Sequence, residues 1–192
     1  MIAFVSAGGT QIPPVYIFPR VKFVKRMTDR GPPGCLGLAH PSGWVNKDTF
    51  LRSLQHFVEF TMCSTTNPHL LLLDNHSSHL DPAVVKYAKE NGIVMLTFPP
   101  HCSHKLQPLD VSVFSSFKGA LQTTFDDWLT SHSGSRISIY EIAELSREPY
   151  LQKFNPASIT NGFSTSGIYP FNRFIFNDID FLPSTVTDRT LG

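Results

Sequence analysis

The chain has 192 residues, 41% hydrophobic and 12% aromatic, enough to bury one sizeable core and too few to argue for two. Sixteen Lys and Arg stand against 15 Asp and Glu, a net charge of +1, which excludes a global field drawing the whole surface onto a polyanion and leaves only local patches. Cys35, Cys63 and Cys102 are odd in number and widely spaced, with no CxxC, which excludes a disulfide framework or a four-cysteine zinc site and fits a reducing compartment.

The N-terminal MIAFVSAGGTQIPP has no basic segment and does not read as a signal peptide. Residues Ile2 to Val5 and Val15 to Phe18 are β-prone runs around a Gly8-Gly9 turn signal, which predicts a hairpin. Residues 30 to 43, RGPPGCLGLAHPSG, are loop by composition. From Asn46, a candidate N-cap, Phe50, Leu51, Leu54, Phe57, Val58 and Met62 recur at intervals of mostly three and four, predicting an amphipathic helix.

HLLLLD, at 69 to 74, is a continuous apolar run, the pattern of a strand covered on both faces and central in a sheet. The run is far too short to cross a bilayer. Asp81-Pro82 opens a helix over 82 to 90 that Asn91-Gly92 stops, and Ile93 to Phe98 is the next strand. Strand, helix, strand predicts a βαβ unit with parallel pairing. Beyond Asp110, the positions Val113, Phe114, Phe117, Leu121, Phe125 and Trp128 give the strongest helical spacing in the chain. Ser138 with Glu141 forms a candidate capping box for a helix through Leu145, and Asn155-Pro156 starts a shorter one. A tail rich in aromatics, Asp and Pro follows from 173.

Two aspartates stand out by position. Asp74 ends the apolar strand, and Asp110 stands where the loop PPHCSHKLQPL passes into the long helix. The carboxyl ends of strands in open α/β sheets are where sites assemble, and one helix and one parallel strand between these residues return both to the same edge. Two carboxylates held close raise each other's pKa unless a cation lies between them, and Mg²⁺, which takes hard oxygen ligands and keeps waters, is the cation expected. An Asp after a strand also serves as a helix cap or turn residue, so spacing alone leaves both readings open.

LLLLDNHSSH at 70 to 79 and FPPHCSHKLQPLDVSVFSSFK at 98 to 118 resemble the core of the DDE superfamily endonuclease domain of pogo and Tigger transposases and of their Jerky and centromere protein B relatives. SAGGTQIPPVYIFPR at 6 to 20, SGWVNKDTF at 42 to 50 and NGFSTSGIYPFN at 161 to 172 look like further family segments in the family's order. The resemblance implies an α/β ribonuclease-H-like fold, a mixed sheet flanked by helices, over residues 1 to 172. It also implies DNA as partner, a nuclear location, and Mg²⁺ or Mn²⁺ held by acidic residues that promote in-line displacement at phosphorus. Asp74 matches the family's second acid and Asp110 its third.

The family's first acid lies on a strand ahead of the SAGGTQIPP hairpin, and the first acid here is Asp29, in a loop after the hairpin. Two expectations follow. With two of three ligands the chain by itself cleaves strands little or not at all. Without the first, central strand, two strand edges keep unpaired backbone groups, so the chain is marginal alone or takes a strand from a partner or a second copy.

Of the remaining candidates, Asn75 and His79 are assigned to supporting Asp74, and Lys105 and Lys118, which flank Asp110, to meeting phosphates. His76, His79, His101, Cys102 and His104 also allow a zinc site, although no four-ligand pattern emerges. Lys22, Lys25, Arg26 and Arg30 form a basic cluster whose commoner fate is a solvated surface. The alternative to a metal-dependent nuclease is a non-catalytic module that binds DNA or protein through the same fold.

Overall fold

The computed structural model describes residues 1–177 and 180, so the tail expected from 173 lies largely outside the described residues. The chain is mixed α/β, with short parallel strands and, among the described residues, six α-helices. Strand β1 (Val15–Pro19) is followed by β2 (Leu36–His40), α1 (Lys47–Thr61), β3 (His69–Leu73), α2 (Pro82–Glu90) and β4 (Ile93–Thr97). Then come α3 (Ser103–Leu106), a π-helical turn at Leu109–Val113, α4 (Phe114–Ser131), α5 (Ile142–Lys153) and α6 (Pro156–Thr165).

The N-terminal hairpin forms as its sequence predicts. Ile2 and Val15 exchange backbone hydrogen bonds of 2.8 and 2.9 Å, and Ser6 to Thr10 closes the turn with Gly9 at φ +84°. The Pro- and Gly-rich segment is not loop throughout. Leu36–His40 pairs in parallel with β1, Val15 opposite Leu36 and Pro19 opposite His40. Composition misjudges these five residues because their hydrogen-bond partners come from a strand some twenty residues away.

Helix α1 starts where Asn46 accepts from the Thr49 amide at 2.9 Å and the Thr49 hydroxyl accepts from the Asn46 amide at 2.9 Å. Such a reciprocal cap contributes about 1 kcal/mol. The buried Phe50, Leu54 and Phe57 of α1 join Val15, Leu73, Val84 and Ile93 in the largest core cluster. Each such side chain contributes roughly 1.5–3 kcal/mol. Helix α2 occupies the span expected for it, with Asp81 accepting from the Ala83 amide at 2.9 Å. Helix α5 begins later and runs further than its capping signal implies, through Pro149 to Lys153. The Ser138 amide does donate to Glu141 Oε2 at 2.8 Å.

Strands β3 and β4 pair in parallel, His69 opposite Ile93 and Leu73 opposite Thr97, as the βαβ pattern predicts. The expectation that β3 is central and covered on both faces is corrected. Among the described residues it pairs with β4 alone, and Leu70 on β3 with Val94 and Leu96 on β4 are 61%, 56% and 56% exposed. Alternate residues pack on α1 and α2, while the opposite face has no covering layer among the described residues. A cleft of about 1030 Å³ separates residues 1–7 of the hairpin from β3 and reaches Asp74. Gln11 lines it, with its Oε1 buried and without a hydrogen-bond partner among the described residues.

A second cluster holds Leu109, Val113 and Phe117 against Tyr150, Phe154, Ile159 and Phe163. Phe117 is therefore a core residue, as its helical spacing predicts, and Phe163 packs in the same cluster, while Trp128 stacks on His132 at 4.3 Å.

Candidate functional site

The end of β3 delivers Asp74 into a short turn built around its own carboxylate. Asp74 Oδ1 accepts from the His76 amide at 3.2 Å, and His76 in turn caps the 3₁₀ turn Ser77–His79. His79 Nδ1 lies 3.0 Å from Asp74 Oδ1 and 3.1 Å from the Asp74 carbonyl oxygen, and its ring packs on Phe50 at 4.1 Å. The imidazole is only 12% exposed against 51% for the Asp74 side chain. Burial lowers the His79 pKa, and this outweighs the opposing pull of Asp74. At neutral pH His79 is therefore a neutral ring that donates one hydrogen bond toward Asp74, an orienting contact and not an ion pair. His79 thus lies within hydrogen-bond reach of Asp74, with Phe50 of α1 packed on its ring. Asn75 lies exposed in the same turn.

Asp110 reaches the site by a different device. It stands in the π-helical turn between α3 and α4, a local unwinding found frequently at functional sites. Helix α6 braces that turn. Ser112 Oγ donates to the Ser158 carbonyl at 2.9 Å, and a Cβ on Gly162 would come within 2.5 Å of the Pro108 oxygen, so only glycine lets the two segments approach. Asp110 as a residue is exposed, yet its carboxyl is partly desolvated, and this is the main cause of its raised pKa. The Lys118 ammonium pulls the other way, and the Asp74 charge adds to the rise. Asp74 and Lys118 thus both bear on Asp110 through space, although residues 75–109 separate the acids in sequence.

Lys105 is placed differently from Lys118. Its Nζ lies 2.8 Å from Asp180 Oδ1, a carboxylate that also accepts from the Asn177 amide at 2.9 Å. Nothing in the sequence announces this contact, because 75 positions separate the partners. Among the described residues no group of three or more His, Cys, Asp and Glu side chains is poised to hold a metal ion. The acids that could share a divalent cation are Asp74 and Asp110, whose carboxylates offer the hard oxygen donors such an ion takes, with Lys118 the cation that lowers the Asp110 pKa.

A protein-family model described as DDE superfamily endonuclease matches residues 1–146, which include both aspartates. A curated protein of Cochliobolus lunatus, named MFS-type transporter clz9, is 28% identical over 172 residues, covering 88% of this chain and 19% of that protein. The chain therefore spans about a fifth of the curated relative's length. No helix among the described residues is long and apolar enough to cross a membrane. No solved structure matches.

Proposed function

Because the chain belongs to the DDE superfamily endonuclease family, we propose that it is a transposase-derived, ribonuclease-H-like domain that binds DNA in the nucleus and holds Mg²⁺ or Mn²⁺ between Asp74 and Asp110. The observation that carries this reading is the family match over residues 1–146, which holds both acids, and the contribution of the Asp74 charge to the raised Asp110 pKa supports their proximity. Each of the two contributes a carboxylate oxygen, His79 orients the first, and the π-helical turn presents the second. Lys118 beside Asp110 meets a phosphate of the substrate, and Lys105 does so on exchanging its carboxylate partner for one. A bound divalent ion would supply charge neutralisation at phosphorus and an acidified water.

With two carboxylates the chain by itself holds metal weakly and cleaves strands little, since small misplacements of reacting groups cost about a hundredfold. Calorimetric titration with Mn²⁺ tests the site. Wild type should give heat that Asp74→Ala lacks, and equal heats in both would remove the metal reading.

A strand from a partner or a second copy fills the cleft beside β3. Its walls include the hairpin and every residue of β3, and the buried Gln11 oxygen in its lining, without a partner among the described residues, is one that a backbone amide would satisfy. Such a chain is marginally stable alone. Cooperative, reversible melting of the monomer, with a midpoint independent of concentration and in the ordinary mesophilic range, would count against this.

The non-catalytic alternative uses the same fold to bind DNA without metal. Oligonucleotide affinity unchanged by Mn²⁺ would favour it.

A further inference from the structure

The segment after β1 reads Arg20-Val21-Lys22-Phe23-Val24-Lys25-Arg26, and all seven residues are exposed. Five of the chain's 16 Lys and Arg fall between positions 20 and 30, against the single acid Asp29. On a chain of net charge +1 this is a strong local excess. Arg30 is engaged by Glu144 at 3.1 Å, and the Arg26 guanidinium lies 5.1 Å from the centre of the Tyr140 ring. Arg20, Lys22 and Lys25 have no acidic partner within 4.0 Å among the described residues.

The segment is held in place, which separates it from an ordinary solvated loop. Phe23 stacks toward Phe18 at 6.3 Å and covers Gly37 so closely that a Cβ there would lie 2.1 Å from its ring. Met27 is 2% exposed, anchoring the 3₁₀ turn Lys25–Thr28. These two anchors leave the cations turned to solvent on a fixed backbone.

An aromatic side chain completes the surface. The turn after β2 is closed by the Gly43 amide donating to the His40 carbonyl at 2.8 Å, and Gly43 lies against Pro19, where a Cβ would meet the proline Cβ at 3.1 Å. Trp44 follows directly, its amide held by Ser42 Oγ at 3.1 Å and its side chain among the most exposed large hydrophobics, at 77%. A large apolar ring left in water on a turn that packs against Pro19, directly before Arg20, combines with cations that lack an acidic partner among the described residues to give the composition of a single-strand nucleic-acid surface, on which bases stack and phosphates meet Lys and Arg.

We propose that Arg20, Lys22, Lys25 and Trp44 form an auxiliary binding surface for single-stranded polynucleotide, separate from the Asp74–Asp110 site. Phosphates bind the three cations and an unpaired base stacks on the indole. The choice of a polynucleotide over an anionic bilayer rests on the DNA-binding reading above.

The test is anisotropy of a labelled oligothymidine with the full chain in EDTA, across a salt series, beside sedimentation with vesicles of phosphatidylcholine and phosphatidylserine in equal parts. Replacing all three cations by glutamine (R20Q, K22Q, K25Q) should flatten the slope of log affinity against log salt by about 2, at roughly 0.7 per lost phosphate contact. Trp44→Ala should weaken binding about tenfold or more with the slope unchanged. Circular dichroism matching wild type confirms that the variants fold. Wild-type affinity and slope in the triple variant would overturn the proposal, as would a flat wild-type salt series, which needs no variant, or binding to vesicles in preference to the oligonucleotide. Because EDTA removes metal from the measurement, failure here with intact Mn²⁺ heats refutes this surface alone. Lost Mn²⁺ heats with intact oligonucleotide binding refute the metal site alone.

Discussion

Replacing Asp110 by asparagine should weaken Mn²⁺ binding by about a hundredfold or more while making the metal-free chain more stable. Losing a group that only orients a ligand costs 10- to 100-fold in metal affinity, so losing a ligand itself costs at least the upper end of that range. The second effect has the opposite sign because the Asp110 pKa is raised, first by partial desolvation and then by the Asp74 charge. A raised carboxyl pKa means the folded chain holds its proton where the unfolded chain has lost it. Stability contributed by the protonated form is therefore fully present below the ordinary carboxylate value and lost as pH rises through the folded one. At neutral pH the ionised Asp110 opposes folding, and asparagine removes that cost.

The same shift governs metal binding, which needs the ionised acid. Affinity in the wild type should rise with pH above the usual carboxylate range and then level, with protons released on binding in the rising part. Calorimetry in buffers of different ionisation heat, with thermal melting in EDTA on both proteins, reads all three quantities. A variant that binds Mn²⁺ as the wild type does, or that melts lower in EDTA, would remove Asp110 from the site.

Gly92→Ala should destabilise the fold by about 2–5 kcal/mol, the sum of a left-handed backbone and a forced contact. Gly92 has φ +71°, and a Cβ there would lie 1.9 Å from the Ser64 carbonyl oxygen and 2.2 Å from its carbon. Backbone atoms cannot swing aside as a flexible side chain can, so the turn between α2 and β4 must move. Its displacement reaches function because the His69 amide donates to the Gly92 carbonyl at 2.9 Å, the bond that starts the β3 and β4 ladder whose far end presents Asp74. Gly119, in α4, is the matched control. Nothing among the described residues lies within 4 Å of its would-be Cβ, so Gly119→Ala should stabilise by about 0.5–1 kcal/mol. Urea melts of the two variants check both signs, and a Gly92→Ala midpoint equal to wild type would refute the packing argument.

Much of this architecture was legible in the residues because it is encoded within one or two turns of chain. Asn46, Asp81-Pro82 and Asn155-Pro156 start helices by hydrogen bonds to amides two or three residues on. The run at 69 to 73, the helix after it and the next strand predict a parallel pair, because only a crossover of that length returns the chain in the same direction. The helical spacing after Asp110 likewise foretold the longest helix. The two acids themselves were found by their positions after a strand and before that helix, and by resemblance to a family.

Tertiary structure decided what depends on residues far apart. Leu36–His40 is a strand because β1 supplies its hydrogen bonds, against a composition that argues for loop. Leu70 lies in water although its sequence reads as buried, since burial requires a covering layer that no local pattern supplies. Helix α6 closes over the π-helical turn at Asp110 where Gly162 meets Pro108, and the lowered pKa of His79 comes from its burial in the folded chain. Torsions and caps are set by neighbours along the chain. Strand pairing, desolvation and the field between carboxylates are sums over contacts that exist only once the chain has folded.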